Sequence, residues 1–325
     1  MSVLSKVVGS FAAVAMFGAV GPAFSGASPP AAWSASVRIQ PADVAPDDVG
    51  LSGLSCPTIA MCVVVDAGGF ALVWRNGTWS SPQEVDAGGS LDSVSCATTT
   101  FCVAVSAGGN AVSYNGRSWG SLVTVGPPAS YEISCPTANF CAAVGANGRP
   151  GGPSVVATFE HGAWSSFQTA SGAANDRLLD VACPSASDCI AVNFNGHMLT
   201  FNGTRWSNSR RVFAKRLDSV SCPSSSFCLA LTISGSYVTL AHVSWSAPKA
   251  IPRFGSQLAR SVSCASSRSC EVLGLSGTAT RWQGQRWSNP IAVFRGGYVG
   301  TITVSCSSPR FCVAVNSTGR AAIYR

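Results

Sequence analysis

Fourteen cysteines in this 325-residue chain fall into seven pairs, and every pair is spaced Cys-x5-Cys. Cys56 is followed by Cys62, Cys96 by Cys102, Cys135 by Cys141, and Cys183 by Cys189. Cys222 is followed by Cys228, Cys264 by Cys270, and Cys306 by Cys312. The first cysteines of successive pairs lie 40, 39, 48, 39, 42 and 42 residues apart. A period near 40 in β-rich sequence is the mark of propeller blades, each a supersecondary unit that buries its apolar faces only against its neighbours. An even number of evenly spaced cysteines also predicts disulfides within each pair. A structural metal needs four ligands, and each repeat offers two thiols in a chain with three histidines, His161, His197 and His242. No metal and no cofactor is expected.

Aligned on the cysteines, the repeats share a longer pattern. It runs L-x-S-V-S-C, five turn residues, C-V-A-V, a Gly turn, a strand ending in an aromatic residue, N-G-x-x-W-S and a final strand. Leu91–Val125 and Leu217–Ile251 carry it most clearly. L-x-S-V-S-C alternates apolar and small polar residues, as a strand with two different faces does. Cys-Val-Ala-Val is apolar on both faces and predicts a strand sandwiched between blades. Asn-Gly at 76–77, 115–116 and 202–203 is a strong hairpin signal, because both residues tolerate positive φ. The result is four antiparallel strands per repeat, labelled A to D, with Cys-x5-Cys closing the A–B hairpin.

The tryptophans indicate how the ring closes. Trp79, Trp119, Trp206, Trp245 and Trp287 each follow the second cysteine of their repeat by 17 residues, and Trp164 follows by 23. The last repeat ends before its tryptophan, whereas Trp33-Ser34-Ala35-Ser36-Val37 stands ahead of the first pair. The N-terminal strand is therefore predicted to complete the last blade. The fold expected is an all-β, seven-bladed propeller of four-stranded antiparallel blades over residues 33–325. Its tryptophans are expected to pack between blades; the alternative is a set of sugar-stacking sites.

The repeats resemble the S-C-P-S-x-x-F-C-V-A-V units of secreted seven-bladed propeller proteins of actinobacteria, as in Ser134-Cys135-Pro136 and Phe227-Cys228. The N-G-x-x-W-S turns also resemble a shortened Asp-box of sialidase-like repeats, with Asn in place of Asp and one residue fewer. The resemblance implies fold and export rather than an activity. Export is also read from residues 1–27, where Lys6 precedes the apolar run 7–20 and small residues offer cleavage near 25–27. The apolar stretch is too short for a membrane span. A secreted or envelope-associated monomer is expected.

Only 11% of residues are charged, against about a quarter in an average chain. Up to residue 204 there are twelve acids and six bases; from Arg205 onward, fifteen bases and two acids, Asp218 and Glu271. A basic half suits an anionic partner. The run Arg210, Arg211, Lys215 and Arg216 lacks the interleaved aromatics of a single-strand binder, which excludes nucleic acid as the expected partner. Gly116-Arg117-Ser118-Trp119-Gly120 fits G-x-S-x-G, but it occupies a hairpin rather than a nucleophile elbow.

Loops longer than the repeat requires are where function is expected on a rigid scaffold. They supply the candidate ligand-binding residues Asp47, Asp48, Arg149, Asp176 and Arg177, and the basic half adds Arg216, Arg253, Arg295, Tyr298 and Arg320. No catalytic residue is assigned. The function expected is non-catalytic binding or scaffolding of an extracellular glycan, cell-wall polymer or protein. The alternative is a glycan-active enzyme, a sialidase-like hydrolase or lyase, in which Asp47, Asp48 and Asp176 converge over the channel.

Overall fold

The computed structural model describes residues 31–40, 50–146, 154–170, 177–241, 244–255, 257–296 and 299–325. The expected signal segment, residues 1–27, lies outside the described residues, as do Asp47, Asp48, Arg149, Asp176, His242 and Tyr298. The described strands form seven antiparallel sheets, one per repeat. Strand A lines the centre, B and C lie between neighbouring blades, and D is outermost. In blade 4 these are Leu178–Ser185, Asp188–Asn193, His197–Phe201 and Arg210–Arg211. In blade 5 strands A to C are Ser219–Ser224, Phe227–Leu231 and Ser236–Ala241.

Each turn signal has a physical role. The disulfides join the cysteines that the spacing pairs, each across its own A–B hairpin. Cys56 is bonded to Cys62, Cys96 to Cys102, Cys135 to Cys141, and Cys183 to Cys189. Cys222 is bonded to Cys228, Cys264 to Cys270, and Cys306 to Cys312. Their Cα atoms lie 3.9 to 4.1 Å apart, the close approach that facing positions of a tight hairpin allow. The second cysteine of each pair, on strand B, is buried almost completely, so these bridges are staples of the scaffold. The Gly of the B–C turn is left-handed at Gly69, Gly109, Gly196, Gly235, Gly277 and Gly319. At Gly109 a Cβ would meet the Gly126 carbonyl oxygen at 2.2 Å, so no larger residue fits.

Strand D differs from the expected continuous strand. In blades 1, 3 and 5 it splits into two short ladders, as at Thr78–Trp79 and Gln83–Glu84. The serine of W-S fills the break. Its hydroxyl accepts the strand C N–H that the outer strand leaves open, as in Val73 to Ser80 Oγ and Thr239 to Ser246 Oγ, both 3.0 Å.

The N-terminal strand Val37–Arg38 pairs with Arg320–Tyr324 of the last blade, in register Val37 with Ala321, and Trp33 bridges to Tyr324. Ring closure is thus as the spare tryptophan required. A polar lock secures it. Glu271 of blade 6 accepts from Trp33 Nε1 at 3.3 Å and from Arg281 Nε at 2.7 Å, and the Arg281 guanidinium stacks 3.7 Å from the Tyr324 ring centroid.

Between blades, strand B of one packs on strand C of the next, with the half-buried strand D tryptophan against the same C-strand ring. Trp206 on Phe201 and Trp287 on Trp282 are examples. The tryptophans are therefore interblade packing residues.

Candidate functional site

Strand A of every blade faces the central channel, a cavity of about 240 Å³. The last Ser of L-x-S-V-S-C explains why that residue recurs. Its hydroxyl accepts the N–H of the first cysteine in the next blade, and so stitches neighbouring strands A that share no sheet. The bonds run from Cys96 to Ser55, Cys135 to Ser95, Cys264 to Ser221, Cys306 to Ser263 and Cys56 to Ser305, all 2.9 Å, and from Cys183 to Ser134 at 3.0 Å. At the seventh seam Ala182 occupies the position, and it has no hydroxyl to offer.

A second tier lies toward the start of strand A, and there the serine pattern gives way to charge. Ser219 and Ser261 accept the N–H groups of Val262 and Val304 at 3.3 and 3.1 Å. On the other side of the ring carboxylates take this task. Asp92 accepts from Tyr131 N at 3.0 Å, and Asp180 accepts from Val220 N and from its own neighbour Val181 N, both at 2.8 Å. Glu132, one blade before Asp180, completes the acidic arc. Burial pushes Asp92 and Asp180 up to about 6. Burial and then the Asp180 charge push Glu132 up to about 8, so that it is largely protonated at neutral pH.

Beside the arc, Asp218 immediately precedes strand A of blade 5 and has a fully buried side chain. Its Oδ1 takes Arg216 Nη2 at 2.5 Å and Arg260 Nη1 at 3.2 Å, and its Oδ2 accepts Ile233 N at 2.9 Å. Burial raises its pKa while the two guanidinium groups hold it down. Arg260 also lies within electrostatic reach of Asp180 and Glu132, so it links Asp218 to the acidic arc. The Arg216 guanidinium also lies 4.9 Å from the centroid of Phe194, a ring 42% exposed on the B–C turn of blade 4. Phe194 N donates to the Arg177 carbonyl at 2.9 Å, which brings the Arg177 backbone beside Phe194.

Of the sequence-predicted site residues that are described, Arg216 lies against the Phe194 ring and Arg177 meets the Phe194 backbone through its carbonyl. The others lie apart. Arg253 adopts a left-handed φ of 59° in an exposed loop and bonds Asn289 Oδ1. Arg295 is exposed on the loop into the last blade. Arg320 is engaged in ring closure, with Nη2 on the Ser36 carbonyl at 2.9 Å and Nε on Ser36 Oγ at 3.2 Å. Among the described residues no group of His, Cys, Asp and Glu suits a metal ion, and no helix is long and apolar enough to cross a membrane. Ser118 sits in a hairpin where Asn115 Oδ1 accepts the N–H groups of residues 117 and 118.

Asp92, Glu132, Asp180, Asp218 and Arg260 are the residues that attention to long loops passes over. For Glu132 and Asp180 the signal is a charge where strand A elsewhere carries Ser93, Ser219 and Ser261, whereas Asp92, Asp218 and Arg260 stand at the variable position before it.

No family model matches the chain, and no curated protein does. Solved propellers share its fold. YCF48 bound to D1 peptide matches with a TM-score of 0.65 at 15% identity, over 90% of this chain and 96% of that one. The WD40 propeller domain of Doa1 matches at 0.72 and 10%, over 92% and 98%. Virginiamycin B lyase from Staphylococcus aureus matches at 0.73 and 6%, over 90% and 99%.

Proposed function

We propose that this is an exported, disulfide-stapled binding protein that takes an acidic segment of an extracellular protein at the channel mouth. The observation that carries this reading is the Arg177–Phe194–Arg216–Arg260 group. It combines an exposed ring with a guanidinium stacked on it, and that guanidinium is held in place by the buried Asp218. Aromatic and arginine side chains of this kind supply most of the affinity in protein interfaces. The peptide in the YCF48 structure supports a peptide ligand on this fold. Seven disulfides fit an oxidising compartment, which agrees with residues 1–27 as an export signal and with the resemblance of the repeats to those of secreted propellers.

The glycan-active alternative has one observation in its favour, the mutual influence of Glu132 and Asp180. Against it, both oxygens of Asp180 already accept backbone N–H groups that hold the ring together. The test is an array of acidic peptides, neutral peptides and cell-wall glycans probed with the oxidised protein and with Arg177→Ala/Arg216→Ala. The expected result is acidic-peptide binding that the double variant loses. Retention of glycans alone, or binding indifferent to the double substitution, overturns the reading.

A further inference from the structure

The seam between blades 4 and 5 breaks the interblade pattern three times. Elsewhere the residue before the second cysteine packs against a C-strand ring of the next blade. Phe101 meets Phe159 at 5.8 Å between ring centroids, Phe140 meets Phe201 at 5.5 Å, and Phe311 meets Trp74 at 5.4 Å. Met61 shares a cluster with Tyr114, and Phe227 with Trp282. Where Ser269 replaces the large residue, Arg281 stacks on Tyr324 instead. At the 4/5 seam, Asp188 stands for the aromatic, Leu240 for the C-strand ring, and Ala182 for the stitching serine. Among the described residues, the cluster there is the one interblade cluster without an aromatic ring among its buried members.

With Asp188 and Leu240 in place of the two rings, the seam has a lateral groove of about 530 Å³. Met198, Leu240 and Trp245 contribute its apolar lining, and Asp188, Arg210 and Arg211 its charges. Trp245 is fixed in place by its Nε1–H on Met198 Sδ at 2.9 Å. Neither the Asp188 carboxylate nor the Arg210 guanidinium has a hydrogen bond or ion pair among the described residues.

We infer that this groove is a second binding site, which receives a tyrosine side chain flanked by acidic residues from an extended protein segment. The other seams put a ring, the Met61 side chain or the Arg281 guanidinium in this position, so the space vacated by Asp188 and Leu240 has the shape of an aromatic side chain. Burying one is a substantial source of affinity. Asp188 accepts the phenol hydroxyl, which makes tyrosine a better occupant than phenylalanine. Arg210 and Arg211 on the outer strand outnumber Asp188 and attract the flanking carboxylates. The site is independent of the channel mouth, because no residue belongs to both.

The experiment is calorimetric titration of the oxidised full chain with acetyl-Glu-Glu-Tyr-Glu-Glu-amide, beside the same peptide with Ala for Tyr and with Gln for each Glu. Asp188→Phe restores the ring found in the other blades, so it fills the groove while holding or raising thermal stability. Saturable binding is expected that weakens by at least about tenfold in Asp188→Phe, in Arg210→Ala/Arg211→Ala and with the Ala peptide. It is retained in Arg177→Ala/Arg216→Ala, which separates this site from the channel mouth. The inference is overturned by absence of saturable binding up to about 1 mM, by binding that survives Asp188→Phe, or by loss only in the channel-mouth variant. Binding of a cell-wall glycan that Asp188→Phe abolishes, in place of the peptide, overturns the assignment of a protein ligand. The exposed arginine pair keeps the test open should Asp188→Phe fail to fold.

Discussion

Ala182→Ser should stabilise the protein, which is an unusual demand on a point substitution. Six of the seven seams carry a hydroxyl that accepts the next blade's cysteine N–H at 2.9 to 3.0 Å. Residue 182 holds the equivalent register, opposite Ile190 as Ser221 is opposite Leu229. A serine there supplies the missing acceptor for Cys222 N. A neutral intramolecular hydrogen bond contributes a net of about 0.5–1.5 kcal/mol, so we expect about 1 kcal/mol. In a domain of this size that raises the midpoint of thermal unfolding by about 2 °C. The reverse change is worth more. Ser221→Ala strands the Cys264 N–H, and an unsatisfied buried donor costs about 1–3 kcal/mol. The assay is guanidinium unfolding of the oxidised protein, followed by tryptophan fluorescence, with the slope checked for constancy. If Ala182→Ser gains nothing and Ser221→Ala loses nothing, the hydroxyls are not stitches, and the recurrence of Ser before each cysteine needs another cause.

Three further outcomes are expected. Glu271→Ala removes one partner of a buried pair and leaves Arg281 uncompensated, at a cost of about 3 kcal/mol or more in chemical unfolding; Glu271→Leu with Arg281→Met should be close to neutral. Asp92, Asp180 and Glu271, at about 6, and Glu132, at about 8, hold their protons more tightly folded than unfolded. The folded state therefore binds more protons than the unfolded chain between about pH 4 and 8. Unfolding free energy should fall as pH rises through that window, and Glu132→Gln should flatten its upper part; stability that increases from pH 5.5 to 8 contradicts the buried acidic arc. Non-reducing peptide mapping should recover only cysteines six positions apart, Cys56 with Cys62 through to Cys306 with Cys312. Full reduction should lower the unfolding midpoint markedly, since each short loop contributes about 2 kcal/mol.

Much of the architecture was legible because it is local. Cys-x5-Cys marks every A–B hairpin, and Trp33 without a cysteine pair ahead of it identifies the strand that closes the ring. The W-S serine was visible as a motif, but its task was not. That task depends on strand D leaving a strand C N–H open, which is a matter of sheet geometry. The candidate site was legible only in part. Arg177 and Arg216 were found through loop length and charge, while Arg320, chosen on the same grounds, is spent on holding Ser36. Asp92, Glu132 and Asp180 were passed over because a carboxylate at an alternating strand position reads as an ordinary solvated face.

What the sequence determined on its own is the blade: its four strands, its staple, its turns and the number of copies. These follow from φ preferences, side-chain alternation and covalent spacing, all of which act within about ten residues. What only the tertiary structure decided is which departures from the repeat matter. Residues some forty positions apart become neighbours when the ring closes, and the face that carries them becomes the wall of a channel. Burial there holds protons on Glu132 and gives Asp180 a backbone to bind. At the 4/5 seam, two inconspicuous substitutions, Asp188 and Leu240, coincide in space and open a groove.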